Sequence, residues 1–153
     1  MKARTFVGAT IAALAISTAG AAVANATPGE ATSVDVAPYL VGTTAYFTVD
    51  GANCGIQASG AVGCDIPAGV AKWFDVIPIT DLAIDLPFLP AHPTFGLVGS
   101  YGRPGSLALP DPGGYGSIIS YAGATCSGGG RGAVSCSSMG HSFSFGWSGT
   151  QTS

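Results

Sequence analysis

The chain has 153 residues, of which 47% are hydrophobic and 8% are charged, and its formal net charge at pH 7 is −3. The five basic residues form no patch that could neutralise phosphates, which argues against nucleic acid and anionic lipid headgroups as partners. The length suffices for one modest hydrophobic core, so a single domain is expected.

The N-terminal residues have the pattern of an export signal. A short basic start precedes an uncharged run from Phe6 to Ala22, and the small residues Ala24-Asn25-Ala26 fit the signal-peptidase rule. We predict a signal peptide over residues 1–26 and an exported protein, secreted or held in the cell envelope, without stable membrane insertion after cleavage. The alternative is an uncleaved anchor, because the run is nearly long enough to span a bilayer.

The four cysteines stand in two copies of one pattern. GANCGIQASGAVGC (51–64) and GATCSGGGRGAVSC (123–136) agree at seven of fourteen positions, which gives G-A-x-C-x5-G-A-V-x-C. If the two cysteines of each copy face each other across a β-hairpin, a three-residue loop remains between the strands. Its third residue is Gly60 or Gly132, and glycine adopts the left-handed conformation of that position without steric cost.

Four cysteines allow three connectivities, and the sequence does not choose among them. The hairpin interpretation favours Cys54–Cys64 and Cys126–Cys136, and an exported protein meets the oxidising conditions in which disulfides persist. A four-cysteine zinc site is the rival interpretation. Its ligands usually come as C-x2-C pairs, which nine intervening residues do not suit. We therefore predict two structural disulfides and no metal.

The rest of the chain predicts a mainly β fold, either a small antiparallel sheet or a sandwich. Residues 27–40 are expected to form a flexible leader and 41–150 a single β-rich domain. Its first hairpin unit (41–66) reads as a three-strand meander with a turn at Asp50-Gly51. Its second hairpin unit (115–150) contains the disulfide-pinned copy, then an alternating strand over 140–147 and a frayed tail.

Between the two units lies a Pro/Gly-rich insertion over 67–114. Residues 67–75 could form one or two helical turns. Residues 82–88 alternate as a half-buried strand does, and Pro87 confines that strand to a sheet edge. The remainder has turn residues every few positions and is expected to be irregular.

Two stretches carry a resemblance to a known family. YFTVDGANCGIQASGAVGCDI (46–66) resembles the first half of a family of uncharacterised exported actinobacterial proteins with the pattern F-x-S-P-S-G-N-I-x-C and then V-x-C-[DE]-I. The segment 115–145 is similar to its second half, where C-x-S, G-V-x-C and G-H-G-F follow one another. Here the last motif reads Gly140-His141-Ser142-Phe143. The resemblance implies export, two disulfides and a small β-rich domain, and it implies no particular activity.

Motifs that would indicate catalysis are weak. GHSFS (140–144) lacks the second glycine of a nucleophile elbow, and no acid or histidine follows Ser142. The two histidines, His92 and His141, are expected in turns or on the surface. Three aspartates, at positions 75, 81 and 85, are interpreted as the solvent-facing side of their segment. No cofactor is predicted.

These observations predict a noncatalytic binding or envelope-associated module whose partner is an unknown protein or envelope component. Exposed apolar patches usually mark interaction sites, so we expect the contact surface in the aromatic, Pro-rich stretch 73–101, with Trp73, Phe74, Phe88, Phe95 and Tyr101 as contact residues. One alternative is a protease inhibitor that presents Arg131 on a stiff hairpin loop. An enzyme of unrecognised type is the other alternative.

Overall fold

The structure is a computed structural model that describes residues 30–129 and 132–153. The predicted signal peptide therefore lies outside the described residues. Two 3-10 helices span Ala37–Tyr39 and Pro112–Gly114. The strands of the described residues are β1 (Thr32–Ser33), β2 (Leu40–Val41), β3 (Thr44–Val49), β4 (Ala52–Gln57), β5 (Val62–Asp65), β6 (Ala71–Trp73), β7 (Ile77–Ile79), β8 (Asp81–Ile84), β9 (Ser117–Tyr121), β10 (Ala124–Gly128), β11 (Ala133–Ser138), β12 (His141–Gly146) and β13 (Gln151–Thr152).

These strands form two main sheets and one ribbon. One sheet has the order β2-β3-β4-β5-β8, the other has the order β1-β9-β10-β11-β12-β13, and β6 pairs with β7. A single hydrophobic cluster takes residues from both sheets, among them Phe47 and Ile56 from the first and Ile119 and Phe143 from the second. The sheets therefore pack face to face as a sandwich, and the mainly β fold predicted from the sequence is confirmed.

The two cysteine hairpins form as predicted. Cys54 lies opposite Cys64 on β4 and β5, and Cys126 lies opposite Cys136 on β10 and β11. Both pairs are disulfide-bonded and buried, with Cα atoms 4.0 Å and 4.1 Å apart. The first hairpin closes where the Gln57 amide donates to the Ala61 carbonyl at 2.8 Å, so residues 58–60 form the loop.

The sequence repeat is a structural repeat. Strands β9, β10 and β11 follow β3, β4 and β5 in the same order, about 72 residues later in the chain. In each copy a two-residue turn, Asp50-Gly51 or Ala122-Gly123, joins the first two strands. All four turn residues have positive φ, between 47° and 86°, as type I′ hairpin turns require. The predicted hairpin units are thus two copies of one three-strand meander.

Each copy contacts the other beside its disulfide-pinned hairpin. The Ser138 hydroxyl donates to the Gly60 carbonyl at 2.6 Å, and a Cβ on Gly60 would lie 3.0 Å from the Ala122 carbonyl oxygen. In the reverse direction, the Gly129 amide donates to the Asp50 carboxylate at 2.8 Å. The two meanders therefore pack as approximate reciprocal mates.

The Pro/Gly-rich middle covers the outer face of the five-stranded sheet. We call residues 91–109 the covering segment. His92 exchanges backbone hydrogen bonds with Ala83 at 2.9 and 3.0 Å, and Thr48 does the same with Leu107 and Leu109. Tyr101 lies over Gly55 and Gly63, where a Cβ would overlap its atoms. Every residue of β8 is consequently buried, although a half-buried alternating strand was predicted over 82–88.

Local predictions for this region need correction. The helical turns predicted over 67–75 were wrong, because residues 71–73 form β6 and pair with residues 77–79 of β7. The strand predicted over 82–88 exists and lies at the edge of its sheet, but it ends at Ile84, before Pro87. Strand β8 pairs with β5 and so extends the five-stranded sheet beyond β3, β4 and β5. The segment predicted as an insertion therefore contributes a strand to that sheet.

The two chain ends of the domain also join sheets. Thr32 and Ser33 pair in parallel with Ser117 and Ile118, so strand pairing begins inside the region predicted as a leader. Gln151 and Thr152 pair with Ser144 and Phe143, although fraying was predicted for this tail. In both cases the short strand pairs with backbone groups that would otherwise form an open sheet edge.

Candidate functional site: the apolar loop end

One end of the sandwich gathers long connections. Strand β5 ends there at Asp65, β8 begins there at Asp81, and β12 ends there at Gly146. We call residues 66–80, 94–100 and 147–150 the loop end. Its segments are in contact, since the Lys72 amide donates to the Thr150 hydroxyl at 3.0 Å. One cleft is lined by residues 65–66, 80–81, 96 and 99–100, and another by Val70 and Trp147 together with Gly132.

The loop end is strongly apolar. Lys72 and Asp75 are the only charged residues in its three segments, and residues 94–100 carry no charge. Exposed large hydrophobic side chains are concentrated in these segments: Val70, Phe74, Val76, Ile77, Phe95, Leu97, Val98 and Trp147. Scattered exposed apolar residues are ordinary, but several on adjoining loops make a patch of the kind that marks an interaction site.

A buried carboxylate holds the first end of the loop over residues 94–100. Asp81 accepts hydrogen bonds from the amides of Thr94 and Phe95, at 2.8 and 3.1 Å, and from the Thr94 hydroxyl. Asp81 is almost completely removed from solvent. Hydrogen bonds to an ionised acceptor are stronger than neutral ones, so this end of the loop is firmly attached to β8.

A second carboxylate holds the other end of the same loop. Asp65 accepts hydrogen bonds from the amides of Tyr101 and Gly102, at 3.3 and 3.0 Å, and from the Ser100 hydroxyl. Residues 96–99, Gly-Leu-Val-Gly, lie between the two attachments. The exposed Leu97 and Val98 side chains are therefore presented by a loop that both ends hold in place.

Two exposed phenylalanines occupy left-handed backbone positions. Phe74 has φ of 50° and is 78% exposed, and Phe95 has φ of 53° and is 61% exposed. Such a conformation is uncommon for a bulky residue and costs on the order of 1–3 kcal/mol. Neither ring recovers that cost in the hydrophobic core, since both point largely into solvent. Strained residues of this kind are concentrated at functional sites.

A separate polar cluster lies on the outer face of the five-stranded sheet. The Tyr101 hydroxyl donates to Asp85 Oδ2 at 3.1 Å, and His92 Nε2 lies 3.7 Å from Asp85 Oδ1. Burial, together with the charge of Asp85, raises the pKa of Tyr101 well above its ordinary value. His92 Nδ1 lies 3.0 Å from the Pro90 carbonyl oxygen. These contacts attach the covering segment to the sheet.

No family model, curated protein or solved structure matches the chain. The resemblance to the actinobacterial family therefore stays a prediction. Over residues 30–129 and 132–153, no helix is long and apolar enough to cross a membrane. The same residues contain no group of three or more His, Cys, Asp or Glu side chains that could hold a metal ion.

The predicted contact residues do not all lie together. Phe74 and Phe95 are exposed at the loop end, and Trp73 is half-buried there against the core. Phe88 is exposed at the opposite end, because it follows β8 where that strand leaves the loop end. Tyr101 is buried over the two glycines and does not belong to an exposed surface.

The sequence prediction missed Trp147, which lies outside the predicted stretch 73–101. Leu97 and Val98 lie inside that stretch but were not named as contact residues, because the named residues were all aromatic. Trp147 continues the alternation of Phe143 and Phe145, which predicts the same environment for all three. Only the two phenylalanines are buried, since the strand ends at Gly146 before Trp147. Arg131, the residue of the protease-inhibitor hypothesis, lies outside the described residues.

Proposed function

We propose that this protein is an exported, noncatalytic binding module that contacts a component of the cell envelope through its loop end. The observation that carries this proposal is the attachment of the loop over residues 94–100 to Asp65 and Asp81. A loop held at both ends loses little conformational freedom on binding, which reduces the entropic cost of association. Export is supported by the predicted signal peptide and by the two disulfides.

Among the described residues, three carboxylates and one histidine are engaged in holding the fold, which supports binding over catalysis. Asp65 and Asp81 accept backbone hydrogen bonds, and Asp85 accepts one from Tyr101. His141 Nε2 lies 3.1 Å from the Pro87 carbonyl oxygen at the opposite end of the sandwich. Apart from Lys72 and Asp75, the exposed large side chains of the loop end are instead apolar, which suits an interaction that buries apolar area.

Footprinting of the oxidised, exported protein with and without an envelope fraction tests this proposal. We expect protection from side-chain oxidation at Phe74, Phe95 and Trp147, and none at Phe88. The double variant Leu97→Asp/Val98→Asp should lose the protection, while Phe88→Asp should keep it. Protection at Phe88 alone, or protection that the double variant leaves unchanged, would refute a binding role for the loop end.

A further inference from the structure

The described chain enters the sandwich at the end that also carries the loop end. The Thr32 amide donates to the Gly116 carbonyl at 3.1 Å, and Thr32 pairs with Ser117. Ser117 lies opposite Gly128, and the next amide along the chain donates to Asp50 in the turn that follows β3. Because β1 runs parallel to β9 and away from this end, the described chain begins at the end of the sandwich where the loop end also lies.

We propose that the loop end docks on the surface of a lipid bilayer of low negative charge, with Leu97 and Val98 entering its apolar region. This inference rests on the proposed function and names its partner. Leu97 is 88% exposed, the largest value among the exposed large hydrophobic side chains of the described residues. Val98 beside it is also exposed, and the glycines on either side leave both side chains without bulky neighbours along the loop.

The position of the chain entry favours a lipid partner. The uncharged run that ends at Ala22 is predicted to lie in the membrane during export, and nine residues, 23–31, separate it from Thr32. Even fully extended, the chain from Ala22 to Thr32 spans only about 35 Å. Until the signal peptide is removed, the end of the sandwich that carries the apolar loops is therefore held within reach of the bilayer.

The charge distribution selects the kind of bilayer. From Thr27 onwards the chain carries eight acidic and three basic residues. This negative charge is repelled by an anionic lipid surface, to which basic segments are attracted. The loop over residues 94–100 carries no charge, so burial of apolar area provides the attraction. Trp147 is exposed at the same end, and tryptophan is favoured at the level of lipid headgroups.

Shape also favours a lipid surface over a protein partner. Binding residues of protein interfaces usually pack into complementary pockets. Here Phe74, Leu97 and Trp147 stand on three different loops of one end, each exposed to solvent. A fluid surface accepts separate projecting side chains without a matching cavity.

Vesicle flotation of the oxidised, exported protein provides the test. We expect binding to phosphatidylcholine vesicles, and weaker binding to vesicles of equal parts phosphatidylcholine and phosphatidylglycerol. The Leu97→Asp/Val98→Asp variant should lower the partition coefficient by at least about tenfold, because two large apolar side chains no longer leave water. The matched control is Phe88→Asp, which changes an equally exposed apolar residue at the opposite end and should bind as the unaltered protein does.

A second measurement does not depend on the loop variant. In the Trp73→Phe protein, Trp147 is the one remaining tryptophan. Its fluorescence should shift to shorter wavelength with phosphatidylcholine vesicles and should be quenched by brominated lipid. The lipid inference would be overturned if the protein neither floats with the vesicles nor shows quenching by brominated lipid. It would also be overturned by stronger binding to the anionic vesicles, or by an equal loss of vesicle binding in Leu97→Asp/Val98→Asp and in Phe88→Asp. If the footprint on the envelope fraction persists under those outcomes, the binding function stands and its partner is not a lipid.

Discussion

Asp65 and Asp81 lie directly opposite each other on β5 and β8, and their carboxylates hold the two ends of one loop. Two adjacent carboxylates repel each other, but six donors from Thr94, Phe95, Ser100, Tyr101 and Gly102 point at them. The pair thereby turns a charge-free, glycine-flanked loop into a fixed part of the sandwich. Without these hydrogen bonds, we expect the loop that carries the exposed Leu97 and Val98 to be flexible.

Substitution of the buried carboxylate tests this attachment. Asp81→Asn replaces an ionised acceptor of several hydrogen bonds by a neutral amide, which should lower the free energy of unfolding by about 1–3 kcal/mol. Urea denaturation measures the loss. The exposed Asp75 provides the control, since Asp75→Asn should change the free energy of unfolding by less than about 0.5 kcal/mol. Equal stability of the two variants would contradict a structural role for Asp81.

Removal of one hydroxyl tests the contact between the covering segment and the sheet. Tyr101→Phe leaves the ring over Gly55 and Gly63 but removes the donor to Asp85. We expect a loss of about 1–2 kcal/mol, because the variant loses a partly buried hydrogen bond to a carboxylate oxygen. Tyr115 is exposed, so Tyr115→Phe should have almost no effect. Thermal denaturation of both variants at neutral pH distinguishes these outcomes.

The raised pKa of Tyr101 predicts a loss of stability in alkali. In the unfolded chain the phenol loses its proton near pH 10, whereas burial and Asp85 keep it protonated in the folded chain above that pH. The folded state then binds more protons than the unfolded state, so the free energy of unfolding falls as pH rises from about 10 to 12. Burial raises the pKa of Tyr39 in the same direction.

The alkaline prediction has a matched control in the same variant. Tyr101→Phe should show a shallower fall of the unfolding free energy between about pH 10 and pH 12 than the unaltered protein. The remaining slope is expected from Tyr39. Identical slopes for the two proteins would show that Tyr101 titrates at its ordinary pKa in the folded state.

The two disulfides should contribute about equally to stability. They close loops of the same length, with a sequence separation of 10 in each case. Loop-closure entropy then predicts a loss of roughly 2–3 kcal/mol when either pair is replaced by alanines. Urea denaturation of Cys54→Ala/Cys64→Ala and of Cys126→Ala/Cys136→Ala measures both losses. A difference of several kcal/mol between the two variants would show that packing around the bridges, and not loop closure, dominates.

The sequence predicted the hairpins well because their determinants are local. The ten-residue cysteine spacing and the glycine at the third loop position fix the register of β4 with β5 without reference to the rest of the chain. The same local reasoning found the three-strand meander over 41–66 and its turn at Asp50-Gly51. Both disulfides follow from that register.

The covering segment and the loop end could not be predicted in this way, because their determinants are distant in the chain. Tyr101 fits where Gly55 and Gly63 face each other on neighbouring strands and leave room for a ring. Asp81 was expected to face solvent. Its burial could not be predicted, because the amides that bind it belong to residues thirteen and fourteen positions later in the chain. The one sequence feature that indicated a covering aromatic residue was the pair Gly55 and Gly63, which the predicted hairpin register places opposite each other on the outer face of the sheet.

The reciprocal contact between the two meanders has a consequence for how the chain folds. The Ser138–Gly60 and Gly129–Asp50 hydrogen bonds join residues 78 and 79 positions apart, so each meander gains these contacts only when the other is in place. Contacts between distant residues require large loops to close before any stabilisation is gained, and β proteins dominated by them fold in milliseconds to seconds. Refolding of the oxidised chain should therefore be a slow, single cooperative event in which both meanders become protected from hydrogen exchange at the same rate.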